Sequence, residues 1–172
     1  MTLTKEELIA SLQNEVRILV HLAGKVDKAH LEYRPTPKQR STLELLQYMA
    51  IMAPVQIVSI KSGDFSREAM MATWGPAEAA SKAMSFEQAV AAIQKQSDEL
   101  ASMLNDWSDT DFRGELDLFG QKNSRAYLVV NLVLCGFAAY RMQLFCYLKA
   151  SGREELNTVN LWMGKDGAMG AA

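Results

Sequence analysis

Histidine and cysteine are scarce in this chain, with two of each in 172 residues. A metal centre built on several imidazoles would have to use His21 and His30, which are nine residues apart. A disulfide-stapled fold is excluded as well. Cys135 and Cys146 stand eleven residues apart. On a helix that is about 16 Å, too far for a bridge within the chain. Both are expected to be reduced, buried, small hydrophobes. Gly and Pro, at ten and four, are too few for a disordered or low-complexity chain. No basic run exists to neutralise phosphates, and the net charge is −2, so nucleic acid is not an expected partner. The opening Met1-Thr2-Leu3-Thr4-Lys5-Glu6-Glu7 lacks the basic-then-apolar order of a signal peptide. The most apolar stretch, Ala126 to Ala139, is broken by Asn131, is followed by Arg141 and falls short of a bilayer span. A cytoplasmic location with no membrane partner is the expectation.

What remains is the composition of a globular domain. Half the residues are hydrophobic (49%), and 172 residues suffice for a sizeable core. One domain over residues 1–172 is expected. Three capping boxes stand before helical periodicity: Thr4 with Glu7, Ser41 with Glu44, and Ser85 with Gln88. They open a first helix from Lys5 to Ala29, a second from Thr42 to Ile60 and a third from Phe86 to Trp107. A fourth runs from Ser124 to Gly152, a glycine suited to the C′ position. Pro54 falls inside the second helix and predicts a kink near Ala50 or Ile51. Residues 61–84 and 108–123 form two longer connections, the first with a short helix at Ala77 to Met84. The second carries Gly114 and Gly120 around Leu116, Leu118 and Phe119. No strand with sustained alternation is visible. The tail from Gly164 to Ala172 is small, Gly-rich and expected to be mobile.

The order of these pieces resembles a known family. Tyr33-Arg34-Pro35-Thr36-Pro37 precedes Ser41-Thr42-Leu43-Glu44-Leu45-Leu46-Gln47-Tyr48-Met49-Ala50. The fourth helix carries Tyr140-Arg141-Met142-Gln143 and Tyr147-Leu148-Lys149. From Lys5 to Gly152 the chain resembles the DinB/YfiT-like proteins, which implies an all-α four-helix bundle. The resemblance also implies a divalent metal between the second and fourth helices. Its ligands would be one His about seven residues after the Ser and a His-x-x-x-His pair on the fourth helix. Those positions are Tyr48, Gly136 and Tyr140 here, so all three imidazoles are absent. Glycine offers no ligand, and neutral tyrosine is a poor one. The expectation is a bundle with a degenerate metal site, no metal and no cofactor.

On a helical wheel Val129, Leu132, Val133, Gly136, Tyr140, Gln143 and Tyr147 share one stripe. Tyr48 shares another with Glu44, Leu45, Met52 and Val55. Two readings of this constellation stand side by side. The Tyr48 and Tyr140 rings fill the former metal space and bond their hydroxyls to Gln143, Glu44 or water. Alternatively Tyr48, Gly136, Tyr140, Gln143 and Glu44 line a small-ligand pocket. The function expected is therefore a small-ligand binding or interaction protein. The rivals are an enzyme acting on a small thiol-linked substrate, with tyrosine as acid, and a purely structural dimer. His21 and His30, with Asp27 or Glu32, would at most bind a surface ion. The plainer expectation is a partly buried His21 and an exposed His30. The opposite side of the fourth helix is also apolar (Val130, Leu134, Phe137, Leu144, Phe145 and Leu148), which predicts a homodimer.

Overall fold

Each long helix begins where a hydroxyl can satisfy its free amides. The structure, a computed structural model, describes residues 3–118 and 120–167. Thr4 caps α1 (Lys5–Ala23), Ser41 caps α2 (Thr42–Ser62) and Ser85 caps α4 (Phe86–Asn105), all three through complete capping boxes. Ser124 caps α6 (Arg125–Leu128), which continues through a π-helical segment, Val129–Leu134, into α7 (Cys135–Ala150). α1 and α2 both pack on α4, and the Arg125–Ala150 helix packs on α1 and α2. The result is an all-α four-helix bundle. Its core holds Leu8, Leu12, Leu19, Leu46, Ile57, Ile93 and Phe137, all at zero exposure.

The first helix ends earlier than expected. Gly24 closes α1, and Asp27 then caps a single 3₁₀ turn at Lys28–His30 by accepting the Ala29 N–H. α2 does run through Pro54. Proline has no N–H for the carbonyl four residues back. That carbonyl, Ala50 O, instead accepts from the side-chain amide of Gln96 on α4 at 2.8 Å. The same Nε2 donates to Met49 O at 2.9 Å, and Gln96 has no exposed surface. A buried amide from a neighbouring helix thus replaces the bond that Pro54 removes.

The connections hold more structure than the sequence suggested. α3 spans Arg67–Lys82 with Ser66 as its cap, so the Gly75-Pro76 pair lies within a helix instead of ending a loop. Ala72, whose carbonyl Pro76 leaves free, is exposed, and water can take that bond. The second connection folds into α5 (Asp109–Arg113) and an antiparallel hairpin of β1 (Glu115–Leu118) and β2 (Gln121–Ser124). Glu115 pairs with Ser124 and Leu118 with Gln121. Gly120 turns the hairpin at φ +79°, while Phe119 lies outside the described residues.

The tail differs too. α8 (Thr158–Met163) ends at Gly164, whose backbone lies against α1 so closely that a Cβ would meet Ile18 Cα at 3.1 Å. Lys25 then pairs with Asp166 at 2.7 Å. Gly164 and Asp166 are therefore held against α1, and 168–172 lie outside the described residues.

Three expectations about the fourth helix change. Phe137, Leu144 and Leu148 are buried by the chain itself, so they do not form an outer face. Arg141 among them is also buried, paired with Glu15 at 3.2 Å and lying over the Trp162 ring at 4.9 Å. Burial pushes the Glu15 carboxyl up, and Arg141 offsets only part of that rise. The cysteines are exposed, not buried. By length and composition alone, Thr42–Ser62 and Arg125–Ala150 are each apolar enough to cross a membrane, contrary to the sequence expectation. The most apolar window of the first is 67% buried in the protein; that of the second is 33% buried.

Candidate functional site

α2 and the Arg125–Ala150 helix bring Tyr48 and Tyr140 together. Their ring centroids are 5.1 Å apart at an interplanar angle of 67°, an edge-to-face pair. Tyr48 also stacks on Trp74 of α3, at 6.0 Å and 17°. The Arg40 guanidinium lies over the Tyr48 ring, 4.0 Å from its centroid. Tyr48 is thus the hub of a cluster drawn from three helices and a loop. Burial, and next the adjacent Tyr140 phenol, push the Tyr48 phenol well above its ordinary value. The phenol therefore keeps its proton to higher pH than a free tyrosine.

The other expected residues have definite partners. Gly136 does not leave space for a ring. A Cβ there would meet the Met52 thioether at 3.3 Å, so Met52 fills the gap one turn along from Tyr48. Gln143 donates to the Tyr147 hydroxyl at 2.6 Å, and that hydroxyl donates to Arg40 O at 3.0 Å. This relay fixes the loop residue whose guanidinium covers Tyr48. The Glu44 carboxylate accepts the Ser41 N–H at 2.7 Å and pairs with Arg34 at 3.2 Å. It both caps α2 and anchors the segment that precedes it.

A cleft of about 530 Å³ opens beside Tyr48, between residues 34–40, the start of α2 and the end of α3. Tyr48 and Glu44 line it; Gly136, Tyr140 and Gln143 do not. Gln47 ties its wall together by donating to Met84 O at 2.8 Å, just past α3. Four basic side chains (Arg34, Lys38, Arg40, Lys82) and two acidic ones (Glu44, Glu78) face the cleft. Arg34 pairs with Glu44 and Lys82 with Glu78. Among the described residues Lys38 and Arg40 join no ion pair. Sequence reasoning missed Lys38, Arg40 and Trp74. Arg40 has a local signal, since it stands directly before the Ser41 cap; Trp74 has none, because its segment reads as a loop.

The histidines do not converge. His21 is partly buried, with Nε2 at 3.2 Å from the Asn160 amide and 3.8 Å from Asp166. Burial, partly offset by Asp166, lowers its pKa. His30 is exposed beside Asp27 at 3.7 Å. Among the described residues no three His, Cys, Asp or Glu side chains gather in a metal-binding group.

The chain was compared with solved structures. A crystal structure of a DinB-like protein, YjoA, from Bacillus subtilis matches with a TM-score of 0.65, covering 88% of this chain and 95% of that one. The fold is DinB-like. Sequence identity over the match is 18%, so the likeness is one of fold. No protein-family model matches the chain, and no curated protein does either.

Proposed function

We propose that this chain is a DinB-like small-ligand binding protein that works without a metal, taking a small anion into the cleft beside Tyr48. The observation that carries the reading is the pair Lys38 and Arg40. These two cations, which join no ion pair among the described residues, face a cleft of ligand size, and one of them lies against an aromatic cluster. The excess positive charge selects an anion. The Tyr48 ring, which lines the cleft, favours one with a flat or apolar part.

The donors at the three positions named by the resemblance do not fit a divalent ion. Gly136 supplies none, and the Met52 thioether occupies its space. Tyr48 is pushed further from the phenolate that would bind one. An enzyme of thiol-linked substrates would have a proton donor in Tyr48. It would find no histidine or cysteine among the cleft residues to serve as base or nucleophile.

The test is a titration of the purified protein with small carboxylates and phosphate esters carrying aromatic groups, read by Trp fluorescence and thermal shift. Saturable binding that weakens about tenfold or more in Arg40→Ala, with far-UV dichroism unchanged, is the expected result. Stoichiometric zinc or nickel in the protein as purified, or binding indifferent to Arg40 and Lys38, would overturn the reading.

A further inference from the structure

The residues of the Arg125–Ala150 helix that remain exposed are not scattered. Tyr127, Asn131, Cys135, Ala139, Met142 and Cys146 are all exposed and fall on one line, with Lys149 extending it. From Cys135 to Lys149 the spacing alternates four, three, four, three, that of a seam between two helices. Before Cys135 the steps are four and four, because the π-helical segment Val129–Leu134 inserts extra residues into the turn. Every buried residue of this helix lies off the line, facing α1 and α2.

We infer that this seam receives the same seam of a second copy of the chain, antiparallel about a two-fold axis between Ala139 and Met142. The pattern is self-complementary about that point. Met142 of one copy falls opposite the partner's Ala139, large against small, and Cys135 falls opposite the partner's Cys146. Charge favours the same arrangement. The seam carries no charged residue from Tyr127 to Cys146, and Lys149 closes one end. An antiparallel pair holds the two Lys149 about 25 Å apart along the axis; a parallel pair would set them side by side. The area fits a weak, concentration-dependent dimer. In this register helix faces helix over residues 131–150, about 28 Å long and about 10–12 Å wide, a footprint of roughly 300 Å² per copy. The partly exposed flanks Val130, Leu134, Ala138 and Phe145 raise it towards the roughly 600 Å² per partner at which stable interfaces begin.

The experiment uses the full chain under reducing conditions. Sedimentation equilibrium between about 1 and 100 µM should show reversible doubling of the 19.1 kDa mass. Met142→Glu and Ala139→Glu should each weaken association about tenfold or more, with helical dichroism intact. Register is read with a short bismaleimide, in which each thiol adds across one maleimide double bond and no oxidant is needed. Its span suits helix axes 8–10 Å apart. The unaltered chain should give a covalent dimer, and Cys135→Ser and Cys146→Ser should each abolish it. Cross-linking that persists in both single variants means a parallel pair and rejects the register. A monomer at 100 µM rejects the interface. So does a chain that stays monomeric and co-sediments with phosphatidylcholine vesicles, which would assign the seam to lipid.

Discussion

Thirteen of the 21 residues of α2 are buried, whereas α3, packed directly on it, buries one residue of 16, Ser81. Both helices contain a proline. In α2 the freed carbonyl lies in the core and needs Gln96; in α3 it faces water and needs nothing. The contrast separates what holds the bundle from what borders the cleft. α2 is fixed from several sides, while α3 rests on one side through Trp74, Ser81 and the bonds at its C-terminal end. An element with few apolar contacts is the cheapest to open. The wall of the cleft formed by α3 is therefore the side expected to open most easily, and Tyr48 on α2 the fixed side.

The largest expected effect tests that contrast directly. Leu46→Ala, at a site with no exposure in α2, should cost about 3 kcal/mol in urea unfolding. Met71→Ala, at an exposed site in α3, should fall within about 0.5 kcal/mol of the parent. Comparable losses at the two sites would break the comparison. Next in size is Gln96→Leu, expected to cost about 2 kcal/mol because the buried Ala50 carbonyl, which Pro54 leaves free, loses its donor. Adding Pro54→Ala restores an amide to Ala50 O and should recover part of that loss. Additive costs in the double variant would mean that Gln96 does not serve the proline gap.

Trp74→Ala should cost about 1 kcal/mol or less, since Trp74 is half-buried and stacks on one ring. Its sharper signature is faster hydrogen exchange in α3 with α2 unchanged. The smallest effect is one of pH. The Tyr48 phenol is raised by burial, so above pH 10 the unfolded chain ionises it while the folded chain keeps its proton. The unfolded state then binds fewer protons, and stability falls as pH rises. The contribution is complete below about pH 10 and is lost as pH climbs through the raised value. Tyr48→Phe should flatten that decline, and equal slopes in both proteins would discount the burial of the phenol.

The helices of the bundle were legible because each carried its own start signal: Thr4, Ser41 and Ser85 cap where the capping boxes said, and Ser124 begins the fourth. Local signals failed where tertiary context decides. Gly75-Pro76 reads as a turn, but an exposed helix tolerates it. The cysteines read as core because free cysteine is a small, commonly buried hydrophobe, but both stand on the side of the Arg125–Ala150 helix that the chain leaves exposed. The meeting of Tyr48 with Tyr140 followed from wheel positions and the resemblance together. The cleft itself did not, because Arg40 and Lys38 lie in a loop without periodicity and only the end of α3, from Ala77, was expected to be helical. Nor did the wheel show that Arg141 would be neutralised by Glu15, a partner more than a hundred residues away in sequence.

The close seat of Gly164 on Ile18 bears on how the chain is made. α8 is synthesised after all four bundle helices, yet it completes the cover of α1, the first of them. Until α8 has emerged, Arg17 and Lys25 lack Gly164 O and Asp166 as partners, and the outer side of α1 stays open. The bundle thus closes with a contact between residues almost 150 positions apart, the kind that forms slowly. A nascent chain halted before residue 157 should hold its helices while leaving α1 accessible to chaperones and proteases.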